Sequence, residues 1–319
     1  QVVAFTYNNA APNVKVRMTT PGPVLSCSSD NFAIRPQAFT VTSSASNPGT
    51  GGAPVFRAGT DAFSLTAAAG YSGYTGIPLL NACLVFTNLP LSLGTVTTAT
   101  FPAASAGVST ASGFKYDEVG NFNLAQYAVY DDTFAAVDSV KGECIPGFSN
   151  VPDGNGKYSC QFGSPAAGPF GRFVPDHFAV AGAVSDACAA GAFTYMGQSF
   201  ALSQAGVVEA RNFADDVTAN YAGTYAPGSV TFGAEEADNG IDMGGSLVFT
   251  GTGLPLSGTW AAGVFTLTGS ATAVTFTRPA IPSGPFDQLN MGLAVTDTDV
   301  ATVPRVAGAD FNPGAIGGA

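Results

Sequence analysis

Residues that could carry out catalysis are few in this sequence of 319 residues. His177, in the segment PDHF, is the one histidine, and the acidic residues that could work together occur as adjacent pairs. A serine hydrolase places a histidine between a nucleophile and an acid, but no Gly-x-Ser-x-Gly elbow precedes a helix start. Neighbouring carboxylates on a strand point to opposite faces, so these pairs do not converge as a glycosidase requires. We therefore predict that the protein is not an enzyme.

One acidic stretch has the composition of a calcium-binding loop. The segment EEADNGID contains Glu235, Glu236, Asp238 and Asp242. Calcium prefers several carboxylate and carbonyl oxygens as ligands, so these four residues are candidate Ca²⁺ ligands. The segment does not complete the twelve-residue loop with its terminal glutamate. The alternative is a polar turn in which Asn-Gly supplies a positive φ, and no other cofactor is expected.

The cysteines predict a disulfide and, through it, a compartment. Cys144 and Cys160 enclose a stretch rich in proline and glycine that has little core of its own. A crosslink that closes a loop of this size stabilises a protein by about 3 kcal/mol, so we predict this disulfide and an oxidising compartment. Cys27 and Cys83 are a second candidate pair, which leaves Cys188 unpaired. The alternative is that these three are buried thiols.

Four tyrosines in glycine-rich segments are candidate binding residues. They lie in YSGYTG and NYAGTY, as Tyr71, Tyr74, Tyr221 and Tyr225. A sugar ring can stack on an exposed tyrosine face, and a partner chain can pack against it. Because the Tyr-x-Gly element occurs twice, the alternative is a structural turn.

The composition excludes two classes of partner. Only 10% of the residues are charged, the net charge is −11, and the lysines and arginines are not clustered. A nucleic-acid groove requires a cationic stripe, so no nucleic acid is expected. No apolar run reaches the ~18 residues of a membrane-spanning helix. Hydrophobic residues make up 46% of the chain, which is typical of a packed core and not of a disordered chain.

The elements that must position these residues are predicted to be short strands. Segments such as FTVTSS (39–44) and FSLTAAA (63–69) alternate apolar and polar residues, so every second side chain is buried. Turn signals such as NPGTGG (47–52) and DNG (238–240) separate them. Such a pattern predicts an all-β fold of immunoglobulin-like sandwiches.

An internal repeat predicts that one sandwich occurs twice in tandem, as a duplicated domain. The matched residues, in chain order, are Pro36 and Pro175, Phe39 and Phe178, Phe63 and Phe200, Tyr74 and Tyr221, and Asp131 and Asp297. The separation grows from 139 residues for the first pair to 166 for the last, as insertions in surface loops would produce. We predict N-terminal strands or a linker over 1–29, a first sandwich over 30–170 and a second over 171–319.

Four segments resemble a known family. They are CSSDNFAIRPQAF (27–39), GRFVPDHFAV (171–180), AFTYMGQSF (192–200) and FDQLNMGLAVTDTD (286–299). Together they resemble the C-terminal region of the MSHA biogenesis protein MshQ and its uncharacterised relatives, exported bacterial proteins linked to a type IV pilus. The resemblance implies a cell-surface or pilus-associated bacterial protein and brings no catalytic residues. A lectin-like module that often lies upstream in the family is not in this sequence, so no adhesive activity located there is carried over.

These observations predict an extracellular structural or adhesive surface protein. Few charges leave strand edges without their usual protection against pairing. The protein is therefore expected to associate with a pilus, or to assemble into a fibre through β-strand contacts, with itself or other surface proteins as partners. The alternative is a monomeric module that recognises a glycan or a pilin.

Overall fold

The structure is a computed structural model of the chain. It describes residues 6–19, 21–22, 25–87, 89, 91–188, 193–236, 241–249, 258–267, 273–281, 284–286, 289–297, 299 and 308–310. Apart from one α-helix and short 3-10 turns, the regular structure of these residues is β. The predicted all-β fold is therefore confirmed. In the described part of the chain, no helix is both long and apolar enough to cross a membrane.

The strands are short, as their alternating sequences predict. Up to residue 174 they are β1 (Ala11–Val14), β2 (Arg17–Thr19), β3 (Leu25–Cys27), β4 (Phe32–Ile34), β5 (Thr40–Ser43), β6 (Phe56–Arg57), β7 (Phe63–Ala68), β8 (Leu79–Leu80), β9 (Val85–Phe86), β10 (Val96–Thr97), β11 (Val108–Tyr116), β12 (Gly120–Leu124), β13 (Val129–Asp131), β14 (Ile145–Phe148), β15 (Ser159–Gly163) and β16 (Ala167–Val174). The helix α1 (Ala135–Lys141) follows β13. It ends at Gly142, whose left-handed φ of 69° lets its N–H reach the last carbonyls.

The remaining strands include the longest one of the described chain. They are β17 (His177–Ser185), β18 (Ser199–Arg211), β19 (Ser229–Glu236), β20 (Ile241–Asp242), β21 (Leu247–Phe249), β22 (Gly258–Ala261), β23 (Val264–Leu267), β24 (Ala273–Phe276), β25 (Leu289–Thr296) and β26 (Gly308–Asp310). Three 3-10 turns, Ala82–Leu84, Gly223–Tyr225 and Gly244–Ser246, connect strands.

Two sheets make up the sandwich of the first half. One has the order β10-β11-β7-β5, and in the other β15 and β8 flank β13, with β14 added in parallel at the outer edge of β15. Strands β16, β12 and β9, which adjoin these along the chain, form a further sheet that β6 joins in parallel. The four-plus-three order of the two main sheets is that of a constant-type immunoglobulin sandwich.

Strands of the second half pair in the corresponding order. One sheet contains β21-β24-β18, with β17 also paired to β18, and the hairpin β22–β23 extends it. In the other sheet β25 lies between β19 and β26. The valine two positions before the repeated aspartate lies in a paired strand in each half, since Val129 pairs with Leu80 and Val295 pairs with Val230. The predicted boundaries at residues 30 and 171, and the duplication itself, stay predictions.

Aromatic side chains fill the core of the first half. Phe63 lies with its ring centroid 5.5 Å from those of Phe122 and Phe173 and 5.8 Å from that of Phe114. The alternation of buried and partly buried residues along β7 places Phe63 and Leu65 on this inner face. A second, smaller core includes Val119, which belongs by sequence to the first half. The second core therefore includes a residue of the first half.

Buried polar side chains join the two halves. The Glu118 carboxylate accepts hydrogen bonds from the backbone N–H groups of Ala219 and Asn220, both at 3.2 Å. The Asn220 side chain in turn donates to the carbonyl of Ser92 at 2.8 Å and accepts from its N–H at 3.1 Å. Because buried polar groups are costly when unpaired, these contacts help to hold the two halves together.

Candidate binding cleft

The disulfide predicted between Cys144 and Cys160 is confirmed, with a Cα–Cα distance of 5.0 Å. It closes a loop in which the Asp153 carboxylate accepts hydrogen bonds from the N–H groups of Asn155 (2.9 Å) and Lys157 (2.8 Å). These backbone N–H groups lower the pKa of the exposed Asp153 carboxyl. The proline- and glycine-rich stretch is therefore ordered by one covalent bond and one carboxylate-centred turn.

A solvent-open cleft of about 460 Å³ lies beside this loop. Residues 32–37, which form β4 and the chain that follows it, make one wall, and residues 156–159 of the disulfide loop make another. Helix α1 and its C-terminal flank contribute Asp138, Glu143 and Cys144, while Tyr71 enters from a separate loop. Ligand sites of proteins are typically about 300–1,000 Å³, so the cleft is large enough for a small ligand.

Arg35 joins the two walls of the cleft. Its guanidinium donates to the carbonyls of Pro36 (2.9 Å) and Ser149 (2.8 Å). The same group lies 5.0 Å from the ring centroid of Tyr158 and 5.6 Å from that of Phe162, which adds cation–π attraction. Burial lowers the pKa of Arg35, yet a guanidinium stays charged in proteins. Its position therefore fixes the shape of the cleft.

Asp138 anchors helix α1 to the edge of β4. Both of its carboxylate oxygens accept from the N–H of Ala33, at 3.0 and 3.2 Å. On the opposite side, the Lys157 ammonium donates to the carbonyl of Gly142 at 2.8 Å. The lining thus carries two acidic and two basic side chains, Asp138 and Glu143 with Arg35 and Lys157.

Of the four candidate tyrosines, the structure brings only Tyr71 to this cleft. Tyr71 is 46% exposed, and Tyr158, which the sequence analysis did not select, is 41% exposed in the same lining. The position of Tyr158 two residues before Cys160 was the available signal, because a disulfide-closed loop holds an aromatic ring in place. Tyr225 lies elsewhere and is half-buried, and the side-chain N–H₂ of Asn121 donates to its hydroxyl at 2.9 Å.

The prediction of binding faces is wrong for Tyr74 and Tyr221, because both side chains are fully buried. Tyr74 donates to the Asp131 carboxylate at 2.6 Å, and Tyr221 donates to that of Asp297 at 3.0 Å. Burial, followed by the hydrogen bond to Asp131, raises the pKa of Tyr74. The alternative of a structural role therefore describes these two residues.

The calcium site stays a prediction. Strand pairing places Glu235 opposite Asp242 and Glu236 opposite Ile241. Asp238 lies outside the described residues, and for the other three candidates only this backbone pairing is described. Across the described ranges, no group of three or more side chains of His, Cys, Asp or Glu is placed to hold a metal ion.

The second predicted disulfide is not formed in the structure. Cys27 and Cys83 are exposed free thiols, so the alternative of buried thiols does not describe them either. Cys27 ends β3, which forms a two-stranded sheet with β2, whereas Cys83 lies in the 3-10 turn between β8 and β9. The two residues are therefore carried by separate elements. Cys188 is also a free thiol and is partly buried.

His177 lies between two carboxylates. Its Nδ1 is 3.2 Å from Asp176 Oδ2, and its Nε2 is 3.1 Å from Asp215 Oδ1. The hydrogen bond from His177, assisted by the charge of Arg211, lowers the pKa of the Asp215 carboxyl. Both ring nitrogens have acidic partners in this arrangement, which suits a structural hydrogen-bond network at the start of β17.

The fold and the cleft define a disulfide-stabilised all-β protein with an open ligand-sized cleft. The chain belongs to the DUF6701 family, since its residues 156–317 match the third domain of that family. This match begins inside the disulfide loop and extends over the second half.

Two further comparisons add no relative. Among curated proteins, none matches the chain. Among solved structures, the adhesin InvE of Yersinia pseudotuberculosis aligns with 85% of this chain at 13% sequence identity and a TM-score of 0.28. The chain spans 57% of the length of that adhesin, and a likeness at this score supports no inference about fold or function.

Proposed function

We propose that this chain is part of an adhesive protein on the surface of a bacterium and that its cleft is a recognition site. Membership of the DUF6701 family supports a surface location, as does the disulfide, because disulfides persist in oxidising compartments. The observation that carries the adhesive role is the cleft itself, which a covalent loop and the Arg35 contacts hold open. Preorganised concave sites bind ligands at a lower entropic cost.

The finer assignment within this proposal is an MshQ-like, pilus-associated protein. It is supported by the family membership and by the segments around Pro36 and Pro175 that resemble MshQ. In a bacterium that encodes the chain, surface labelling of intact cells is expected to reach it, and pili sheared from those cells are expected to carry it. Recovery of the protein only from the cytoplasm contradicts the surface location. Sheared pili that lack the protein contradict the pilus association.

Beads coated with the purified chain test the adhesive role directly. We expect such beads to adhere to bacterial or host cells above the level of albumin-coated beads. The double variant Cys144→Ser and Cys160→Ser is expected to lose this adhesion, because its loop no longer holds one wall of the cleft. Wild-type beads that adhere no better than albumin-coated beads would overturn the adhesive function.

A second candidate function, assembly into a fibre, is favoured by the hairpin of β2 and β3. All six residues of these strands are exposed, including Met18 (65%) and Leu25 (52%). An exposed apolar strand edge can pair with another chain, and a lysine placed on it blocks such pairing. Filaments in negative-stain electron microscopy that disappear in Met18→Lys support assembly. Monodisperse 32 kDa particles in light scattering support the recognition module.

A further inference from the structure

We infer that the cleft beside the disulfide loop binds a neutral oligosaccharide, with sugar rings stacked on Tyr71 and Tyr158. This inference rests on the proposed adhesive function and names the ligand class of its site. Both tyrosines are partly exposed in one concave lining. Tyrosine offers a rigid apolar ring face with a polar hydroxyl at its tip, which matches the apolar faces and hydroxyl rim of a sugar.

The charges of the lining favour a neutral ligand. Two acids, Asp138 and Glu143, are balanced by two bases, Arg35 and Lys157. The chain as a whole carries a net charge of −11, which repels anionic ligands at long range. A neutral polyol can instead bond to both the acidic and the basic side chains, since each of its hydroxyl groups donates and accepts.

Hydrogen-bonding capacity remains available in this lining. The ammonium of Lys157 donates to the carbonyl of Gly142 at 2.8 Å, and an ammonium has three donors. Glu143 is exposed and its carboxylate accepts only. The rim of the cleft therefore has both donors and acceptors for sugar hydroxyls, next to the two tyrosine rings.

A peptide that adds as a strand fits this cleft less well. Strand addition requires free backbone groups along the receiving edge. At β4 the partner on one side is β1, and on the other side the N–H of Ala33 is occupied by both oxygens of Asp138. The carboxylate thus takes the place of an added strand, and the side chains of the cleft are left as its recognition groups.

The rigidity of the site also suits a small ligand. The disulfide fixes one wall, and the guanidinium of Arg35 bonds to the carbonyl of Pro36 and to that of Ser149 in the disulfide loop while it covers one face of Tyr158. The ring of Tyr158 is therefore held in place before a ligand arrives. Fixed aromatic rings lose little conformational entropy on binding.

The experiment titrates the full chain with maltotriose, cellotriose, N-acetyllactosamine and N,N′-diacetylchitobiose, by calorimetry and saturation-transfer NMR. We expect at least one neutral oligosaccharide to bind and Tyr71→Ala and Tyr158→Ala each to weaken that binding by about tenfold or more. Tyr71→Phe and Tyr158→Phe retain the rings and are expected to stay within about threefold of wild type. Tyr195→Ala, which removes a tyrosine that is 65% exposed in the other half, is the matched control and is expected to change nothing.

Three results would overturn the inference: no binding of any of the four probes, equal binding by wild type and Tyr71→Ala, or preferential binding of sialyllactose or of an alternating Thr-Val hexapeptide. Because Tyr71 lies on an exposed loop, its variant keeps the test valid if Tyr158→Ala loosens the disulfide loop. Coated beads separate this inference from the proposed function. Adhesion that persists in Tyr71→Ala overturns the saccharide site alone, whereas wild-type beads that do not adhere overturn the adhesive function.

Discussion

The two halves of the molecule share a buried tyrosine–carboxylate contact and differ in the loops around it. Tyr74 bonds to Asp131 in the first half, and Tyr221 bonds to Asp297 in the second. In each half a phenylalanine ring lies 5.5 Å from the tyrosine ring, roughly edge to face. The helix, the disulfide and the cleft, by contrast, belong to the first half. The comparison indicates that the sandwich is held by a repeated internal contact, while the proposed recognition site belongs to a loop.

The shared contact also fixes the end of a strand in each half. Asp131 ends β13 and accepts from the N–H of Thr133 at 2.8 Å, and Asp297 follows β25 and accepts from the N–H of Asp299 at 2.9 Å. One oxygen of each carboxylate thus bonds to a tyrosine and the other to a turn. Because a buried carboxylate without partners is costly, tyrosine, aspartate and turn form one interdependent unit.

The largest expected effect comes from removing either tyrosine. Tyr74→Ala and Tyr221→Ala each leave a cavity and remove a hydrogen bond from a buried carboxylate, and we expect each to lower the free energy of unfolding by about 3–5 kcal/mol. Trp260, the one tryptophan, lies 4.7 Å from the ring of Tyr221 and reports on the second half. We follow denaturant unfolding by the fluorescence of Trp260 and by circular dichroism. The transition seen by Trp260 fluorescence is expected to shift more in Tyr221→Ala than in Tyr74→Ala. Equal shifts would show that the halves unfold as a single unit.

Removal of the disulfide sharpens the difference between the halves. The pair Cys144→Ser and Cys160→Ser, which opens a loop with a sequence separation of 16, is expected to lower the stability of the first half by about 3 kcal/mol. The second half has no corresponding crosslink among its described residues. The fluorescence transition of Trp260 is therefore expected to move less than the circular dichroism transition. Cys188→Ser is the matched control, and a comparable loss in that variant would contradict the assignment.

Removal of the hydroxyl alone compares the two contacts directly. Tyr74→Phe and Tyr221→Phe keep the ring and remove its hydrogen bond to a buried carboxylate, at a cost of about 1–3 kcal/mol each. We expect the larger loss for Tyr74→Phe, because its hydrogen bond is shorter, 2.6 Å against 3.0 Å. Chemical denaturation of the two variants gives the comparison. A larger loss for Tyr221→Phe would reverse this ranking of the two contacts.

The smallest expected effect concerns the junction between the halves. Burial raises the pKa of the Glu118 carboxyl, against the opposing influence of its backbone hydrogen bonds. The folded state therefore binds this proton more tightly than the unfolded state, and the stabilising contribution is present at low pH and is lost as the pH rises through the folded pKa. NMR titration of the Glu118 carboxyl carbon is expected to give a pKa above the ordinary glutamate value. A value at or below it would show that the hydrogen bonds outweigh burial.

Several features could be predicted from local sequence. Alternation of apolar and polar residues gave the strand at Phe63, because a strand buries every second side chain. The turn-rich stretch between Cys144 and Cys160 gave the disulfide, since such a stretch gains most from a crosslink. The repeat paired Tyr74 with Tyr221 and Asp131 with Asp297, but it did not reveal that each tyrosine contacts the aspartate of its own half. That contact joins residues 57 positions apart, and a local sequence pattern does not show which distant residues lie close together in space.

By itself, the sequence therefore determined the backbone class, one covalent link and the order of the repeated residues. All three follow from residue types that neighbour one another along the chain. Only the tertiary structure decided which tyrosines are exposed, because Tyr71 and Tyr74 stand three positions apart and yet one lines the cleft and the other fills the core. It also decided the cleft, which exists only where the chain around Arg35 packs against the loop that carries Tyr158. Burial and concavity arise from packing between distant segments, which local patterns do not encode.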